Sequence, residues 1–336
     1  MKKLNVGVLG CSGYTGIELL KILDIHPNVK LIFLGSNSKI GIKAEVLHSG
    51  FKNINKKIIR NNSLISKVND LDVLFSCLPN GELAKNFKKF TSNKKIKIID
   101  LSGDFRLPNS LNKKWYKTKR NDDLFKTFQY ILPELNQNKI NKNRNISNPG
   151  CYATSIILGI APIISSLNKQ SILIDTKSGI SGAGKNNNID YIFNEANENL
   201  SIYNEGNHRH MPEIENFIAK NYKKTFKIIM IPHLLPLTRG ILSNIYVDLN
   251  QEITEDKVLK KYINFYKNNT FIKISNKIPS IKDAVRTNNC LIGIRKFKNT
   301  KTLMVTSVID NLIKGASGQA VQNMNLLFNL DEELGL

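Results

Sequence analysis

The sequence predicts an α/β chain of two domains: a strand–helix alternation that builds a parallel sheet, followed by a sheet-rich α+β half. Three observations predict it. Residues 4–9 alternate and are β-rich, a glycine turn and an amphipathic helix to Ile25 follow, and residues 28–34 read as a second strand, which together make a βαβ unit. Beyond Ser171 the apolar runs are mostly strand-length and joined by short polar turns. At Cys151 a lysine-rich polar stretch gives way to an apolar helical one, so the boundary falls there. The 336 residues suffice for two full cores.

The first strand runs into Gly10-Cys11-Ser12-Gly13-Tyr14-Thr15-Gly16. The spacing is GxxGxxG and not GxGxxG, but glycines at a helix start still let the backbone approach a pyrophosphate. Gly10, Ser12, Gly13, Tyr14, Thr15 and Gly16 are therefore candidate dinucleotide contacts. An acid at the end of the second strand would bind a ribose 2′-OH. The chain instead has Gly35-Ser36-Asn37-Ser38-Lys39, where Ser36, Ser38 and Lys39 suit a 2′-phosphate and favour NADPH over NADH. Residues 71–78 read as a buried strand ending at Pro79-Asn80-Gly81, residues 82–90 as a helix, and residues 96–101 as a strand ending at Ser102-Gly103-Asp104-Phe105-Arg106. Ligands of open parallel sheets bind beyond the carboxyl ends of the strands, which puts Pro79, Ser102 and Arg106 on the ligand side. Arg106 is a candidate anion ligand, with a surface salt bridge as the alternative. Residues 109–145, polar with Trp115-Tyr116 and Leu132-Pro133-Glu134-Leu135 as fixed points, read as a bridge between domains.

Asn148-Pro149-Gly150 is a turn by composition, and residues 153–164 continue it as an apolar helix. Cys151 thus sits at a helix start, where unpaired N–H groups and the positive end of the dipole favour its thiolate. Residues 171–177 are a strand leading into Ser178-Gly179-Ile180-Ser181-Gly182-Ala183-Gly184-Lys185, a second loop of small residues in which Ser181 and Gly182 allow close backbone approach to a ligand. Residues 186–207 are Asn-rich and resist assignment. Strands are expected over 228–231, 241–249, 291–297 and 302–309, paired antiparallel through short turns, with a helix over 255–268. A closing helix over 316–329 carries Gly318, Gln319 and Asn323 and is expected to return to the first domain.

Composition narrows the function classes. The formal net charge is +22, yet the lysines are scattered among Asn and Ile, as AT-rich codons would scatter them, and no arginine–aromatic cluster or helix-turn-helix spacing appears. No nucleic-acid partner is expected. No apolar run reaches membrane-spanning length and no signal-like segment follows Met1, so a cytoplasmic protein is expected, without a membrane partner. Cys11, Cys77, Cys151 and Cys290 form no CxxC pair and read as reduced thiols. Asn207-His208-Arg209-His210-Met211-Pro212-Glu213 could offer an HxH metal pair, but no third ligand has fitting spacing, so no metal is expected. As partners of a thiolate the histidines make chemical sense, because imidazole exchanges protons near neutral pH.

These motifs together resemble the N-acetyl-γ-glutamyl-phosphate reductase family of arginine biosynthesis. The resemblance spans nearly the whole chain and rests on GYTG (13–16), LSGDFRL (101–107), NPGCYAT (148–154), KSGISGAG (177–184), HRHMPEI (208–214), PHLLPLTRGIL (232–242) and NLIKGASGQAVQNMNLLF (311–328). Gly103 stands where the family usually has alanine, and Ile131 where glycine is more common before LPEL. The resemblance implies a Rossmann domain plus a glyceraldehyde-phosphate-dehydrogenase-like α+β domain, here 1–147 with 314–336 and 148–313. It implies reductive dephosphorylation of N-acetyl-γ-glutamyl phosphate by NADPH, through a thioester on Cys151, with His208 as acid/base and His210 on the substrate side. Ser102, Asn148 and Glu213 would line the substrate. Arg106 would hold the leaving phosphate, with Lys185 and Arg239 behind it, and Asn323 would touch the cofactor. A homo-oligomer, dimer or tetramer, is expected. Aspartate-semialdehyde dehydrogenase chemistry on the same fold is the alternative, and a basic nucleic-acid-binding protein the more distant one.

Overall fold

A computed structural model describes residues 3–91, 96–167, 171–183 and 197–336. They divide into two compact units, Met1–Gly150 with Ala316–Leu336, and Cys151–Gly315.

The first unit is built on β1 (Leu4–Leu9), α1 (Tyr14–Ile25), β2 (Val29–Leu34), β3 (Val73–Ser76), α2 (Glu82–Phe90), β4 (Lys97–Asp100), α3 (Asn109–Trp115), α4 (Asp122–Lys126), β5 (Phe128–Tyr130), α5 (Pro133–Asn136) and β6 (Asn145–Ser147). Its sheet has the order β2-β1-β3-β4-β6-β5, and every named pair is parallel. The order reverses between β1 and β3, so the crevice beyond their carboxyl ends is where a nucleotide belongs. Strands buried on both faces need apolar residues throughout, which is why Val73–Ser76 carries no alternation.

Residues 109–145 are not a bridge. They belong to this unit and supply β5, an edge strand of its sheet, and the first residue of β6, which lies between β4 and β5. Three-residue strands among lysines and asparagines carry no period to read. Their anchor is Phe128, buried and stacked on Phe105 with ring centroids 3.7 Å apart.

The second unit contains α6 (Cys151–Ile160), β7 (Ile172–Gly179), β8 (Ser201–Ile202), α7 (His210–Tyr222), β9 (Ile228–Leu235), β10 (Ile241–Asp248), α8 (Glu255–Tyr266), β11 (Ile272–Ser275), α9 (Ile281–Ala284), β12 (Cys290–Lys296) and β13 (Thr302–Ile309). Its seven strands run β11-β12-β13-β10-β7-β9-β8. The sheet is mixed: β7–β9 and β11–β12 are parallel, and the other pairs antiparallel. Helix α6 packs against β10 and β13, while Tyr262 and Tyr266 of α8 donate to the carbonyls of Gly159 and Leu158 at 2.6 Å each. The strands alternate, with Ile172, Ile174, Ile228, Met230 and Ile245 buried, and Leu173 and Ile229 exposed on the opposite face.

Strand β9 continues through Pro232, where the sequence suggested a stop. Pro232 O accepts from Tyr203 N at 3.0 Å, so its missing N–H also faces the two-residue β8 edge and costs no interior ladder bond.

A π turn (Ile313–Ser317) leads into α10 (Gly318–Leu327). Ala320, Val321, Met324 and Leu327 of α10 join Val6, Val8, Leu19, Leu20 and Leu23 in one buried cluster of the first unit. Each Val, Leu or Met side chain among them contributes roughly 1.5–3 kcal/mol of burial. Among the described residues no helix is long and apolar enough to cross a membrane.

Candidate active site

In the first unit the glycine turn is shaped by contact. Gly10 has φ +71°, and a Cβ there would lie 2.5 Å from Cys77 O; at Gly16 it would lie 2.5 Å from Gly10 O. At Gly13 nothing comes closer than 3.7 Å, so the turn is open on that side. Gly13 caps α1 without a side-chain acceptor, and the first turn has no acid. The N–H groups around Tyr14, Thr15 and Gly16 are therefore left for an anion, and a pyrophosphate fits this donor set. Asn62, which sequence reasoning missed, accepts from Gly10 N at 3.2 Å and braces the turn.

Ser36 is buried, and its hydroxyl is used internally. It bonds Ser12 Oγ at 2.7 Å and accepts from Ser38 N and Lys39 N at 3.2 Å each. Ser38 and Lys39 themselves are exposed. Arg60, also missed, brings a second exposed cation here: Ser36 N donates to Arg60 O, and Arg60 N to Leu34 O, each at 2.9 Å. Only the topology places it beside β2, since 25 residues of unpatterned loop separate the two in sequence.

The loops after β3 and β4 are stitched together. Pro79 is exposed; Asn80 accepts from Gly103 N at 2.7 Å, and the Asp104 carboxylate caps α2 by accepting from Gly81 N at 2.5 Å and Ala84 N at 3.0 Å. Ser102 donates to Asp100 at 2.7 Å, and burial, reinforced by Asp104, holds the Asp100 carboxyl well above the usual carboxylate range. Arg106 is buried and gives Nε to Asn148 O at 2.8 Å and Nη2 to Leu101 O at 2.7 Å. It is not a surface residue, and part of its fork is engaged by backbone. The Asn148 amide donates to Ala316 O at 3.2 Å and accepts from Asn323 Nδ2 at 3.0 Å. Asn323 also reaches Ile131 O at 3.3 Å. Gln319 is fully buried with neither amide atom hydrogen-bonded, an orphaned polar group of the kind a bound ligand satisfies.

The second unit holds the candidate cysteine and histidines. Cys151 is the first residue of α6 and is half-buried, whereas Cys11 and Cys290 are buried. Tyr152 Oη and Tyr203 Oη are 2.7 Å apart. His208 lies edge-on to Tyr152, Tyr203 and His210, with ring centroids 5.2, 5.9 and 4.8 Å away. Burial, then Arg209, holds the His208 imidazole down to about 4. Burial, opposed in part by the Tyr152 hydrogen bond and reinforced by the charge of Cys151, pushes the Tyr203 phenol up to about 12. His210 opens α7, and Glu213 is buried one turn on. Arg239 pairs with the buried Asp310 at 3.3 Å, and Ser181 accepts from Asn311 at 3.0 Å, beside Gly182. Lys185 lies outside the described residues. Tyr203 escaped sequence reasoning because it follows an Asn-rich stretch without a period, and Tyr152 because it sits inside a motif read for its cysteine. Among the described residues no group of three or more His, Cys, Asp or Glu side chains could hold a metal.

Comparison with known proteins follows this division. Residues 5–143 match the semialdehyde dehydrogenase NAD binding domain, and residues 151–311 the semialdehyde dehydrogenase dimerisation domain. Two solved structures with the same fold are aspartate semialdehyde dehydrogenases, that of Vibrio cholerae (TM-score 0.74, 19% identity, 98% of this chain and 99% of that one) and that of Francisella tularensis (TM-score 0.73, 18% identity, 97% and 100%). At such identity they speak for the fold alone. Curated relatives described as N-acetyl-gamma-glutamyl-phosphate reductase are far closer in sequence. That of Vesicomyosocius okutanii is 44% identical over 342 residues, that of a Thermoanaerobacter species 40% over 338, and that of Campylobacter jejuni 40% over 340. Each alignment covers 99% of this chain and 98% of the relative. With that identity along its whole length, and with Cys151 placed at the head of α6 in the domain the family model matches, this chain belongs to the N-acetyl-gamma-glutamyl-phosphate reductase family.

Proposed function

We propose that the protein reduces N-acetyl-γ-glutamyl phosphate to N-acetylglutamate 5-semialdehyde and phosphate with NADPH, through a thioester on Cys151. The observation that carries this reading is Cys151 itself, half-buried as the first residue of a buried helix and close enough to Tyr152 and Tyr203 to act on both phenols. A thiolate there attacks the acyl carbon and expels phosphate, which is a good leaving group and needs no strong acid. Arg239 and Lys185 are the cations assigned to the phosphate, because Arg106 already gives two donors to backbone carbonyls. His210, Glu213, Ser102 and Asn148 stay as substrate-side candidates.

The nucleotide, when bound, supplies the hydride. The turn from Gly10 to Gly16 would hold its pyrophosphate, Ser38, Lys39 and Arg60 its 2′-phosphate, and Gln319, Asn323, Pro79, Ser181 and Gly182 its remaining polar groups. The apolar face carrying Leu173 and Ile229 fits a second copy of the chain, as a dimer or within a tetramer. Four free thiols suit the reducing cytosol.

The test is NADP⁺ reduction by N-acetylglutamate semialdehyde plus phosphate, with aspartate semialdehyde as the control. Faster turnover of the aspartate compound would replace this reading by the aspartate-semialdehyde one, which the shared fold permits.

A further inference from the structure

His208 meets more than aromatic edges. His210 N donates to its Nδ1 at 3.2 Å. A backbone N–H can only donate, so Nδ1 carries the lone pair and the single proton of the neutral ring sits on Nε2. Ionising the ring would place a second proton on Nδ1, against that N–H and at the start of α7, where unpaired N–H groups and the helix dipole oppose a cation. The titratable and charged groups around the ring are Tyr152 from α6, Tyr203 from the segment after β8, and Arg209 and His210 at the head of α7. Cys151 acts on both phenols. The two phenols are locked to each other by their 2.7 Å hydrogen bond and stand edge-on to the imidazole from two sides, so the ring cannot turn over without displacing them.

We propose that Tyr203 is a positioning residue which, with Tyr152 and the start of α7, holds His208 as the Nε2–H tautomer, and that His208 serves the reaction as a neutral hydrogen-bond donor to the reacting oxygen and not as its acid or base. The proposal rests on the thioester reading of Cys151.

The bond changes allow it. When the Cys151 thiolate adds to the acyl carbon, a C–S bond forms and the carbonyl pair moves to oxygen. Return of that pair breaks the C–O bond to phosphate, which takes from water the one proton the overall reaction consumes. Once the thioester carbon has accepted the hydride of the reduced nicotinamide, a pair again rests on oxygen. Its return breaks the C–S bond and frees the aldehyde, leaving Cys151 as the thiolate it was. Neither tetrahedral species needs a proton at oxygen. Each needs a donor there, and a fixed neutral N–H is such a donor.

The experiment is ¹⁵N NMR of the full chain with labelled histidine, from about pH 5.5 to about pH 8, with His208 assigned through His208→Gln. The expected spectrum shows an unprotonated Nδ1, a protonated Nε2 and no titration of His208 in that range. A protonated Nδ1, or titration near the ordinary histidine value, overturns the proposal without need of any active variant. Tyr203→Phe should let both His208 tautomers appear and lower kcat about tenfold at unchanged KM. An unchanged His208 spectrum removes Tyr203 from the assignment. His208→Ala should lower kcat roughly 100- to 1000-fold, the usual loss for one oxyanion donor, and His208→Gln, which keeps an N–H, should lose less. A glutamine variant no better than alanine counts against the donor role. Mass-spectrometric trapping of the acyl group on Cys151 separates the two levels. Without a thioester the functional reading fails, whereas a thioester together with a titrating His208 sinks only this inference.

Discussion

Gly315 occupies a place where a single methyl group should disable Cys151, the proposed nucleophile. A Cβ at this position would lie 2.7 Å from Cys151 Cβ, 3.2 Å from Cys151 Cα and 3.3 Å from Ile309 Cδ1. Carbon atoms prefer roughly 3.5–4.0 Å, so Gly315→Ala demands a displacement of nearly 1 Å. The atoms in the way are the backbone and first side-chain carbon of Cys151, which cannot swing aside as a long side chain would. The turn has little freedom either. Gly315 N donates to Asp310 O at 2.9 Å, and the neighbouring Lys314 is fully buried with its ammonium 5.3 Å from the centroid of the Phe271 ring. Gly315 does not need a positive φ, and alanine is otherwise the better residue in helical backbone by about 1 kcal/mol, so any loss is steric. Overpacking of this kind costs about 1–3 kcal/mol in stability, and a misplacement of about 1 Å at a reacting group costs on the order of 100-fold in rate. The assay is kcat and KM together with the alkylation rate of Cys151, beside urea unfolding to confirm that the variant folds. The expected result is a kcat lower by about 100-fold with KM for NADPH unchanged. A folded Gly315→Ala protein with full kcat would refute the reasoning.

Other outcomes follow from the same contacts. Iodoacetamide near neutral pH should label Cys151 before the other cysteines, because burial pushes the Cys11 thiol up to about 12 and the Cys77 thiol still higher, while Cys290 is buried beside Ser307; peptide mapping that finds another cysteine labelled first contradicts this. Lys39→Ala should weaken NADPH more than NADH, by about 1–2 kcal/mol for one charge-assisted contact, as read from the ratio of kcat/KM values. Gly103→Ala would put a Cβ 2.0 Å from the Tyr116 ring and should destabilise the first unit by about 1–3 kcal/mol in urea titration, and pairing it with Tyr116→Ala should recover much of that loss. Asp100 keeps a proton in the folded chain that the unfolded chain has already lost, so its contribution to stability is full below the ordinary carboxylate range and is lost as pH rises through its raised value; Asp100→Asn should flatten that fall in melting temperature with pH, and an unchanged slope would place the proton elsewhere.

Much of this architecture was legible in the chain because period and punctuation agreed. Leu4–Leu9, the glycine turn and Tyr14–Ile25 each announce themselves, and Glu82–Phe90 lies between a left-handed Gly81 and a last turn with two lysines. Cys151 could be found because a tight turn precedes an apolar run. What stayed hidden depends on distance. Phe128 and Ile146 sit in three-residue strands whose places, β6 beside β4 and β5 at the edge beyond it, are decided by pairing across the sheet, and no local pattern reports that. Arg106 reads as an exposed cation until Leu101 O and Asn148 O take its donors. Gly103 stands where the resemblance would put alanine, and nothing local in the sequence reports that the Tyr116 ring occupies the space a methyl group would need. The histidine pair was visible, while its protonation was not, since that depends on a hydrogen bond from a helix start and on two tyrosines brought up from separate segments.

The placement of α10 has a consequence for how the protein is made. Val6, Val8 and Leu20 leave the ribosome well before the second unit, yet the cluster they belong to also requires Val321, Met324 and Leu327, which are synthesised after everything in the second unit. At roughly 5–20 residues per second the first unit waits on the order of ten seconds or more between its early and its late contributions. The segment from Cys151 to Gly315 can complete its own sheet in that interval, while the nucleotide-binding half must remain unfinished, with apolar surface uncovered, until α10 has been translated. Chaperone occupancy on nascent chains should therefore concentrate on the first 150 residues, and a circular permutant that begins at α10 should shed that dependence.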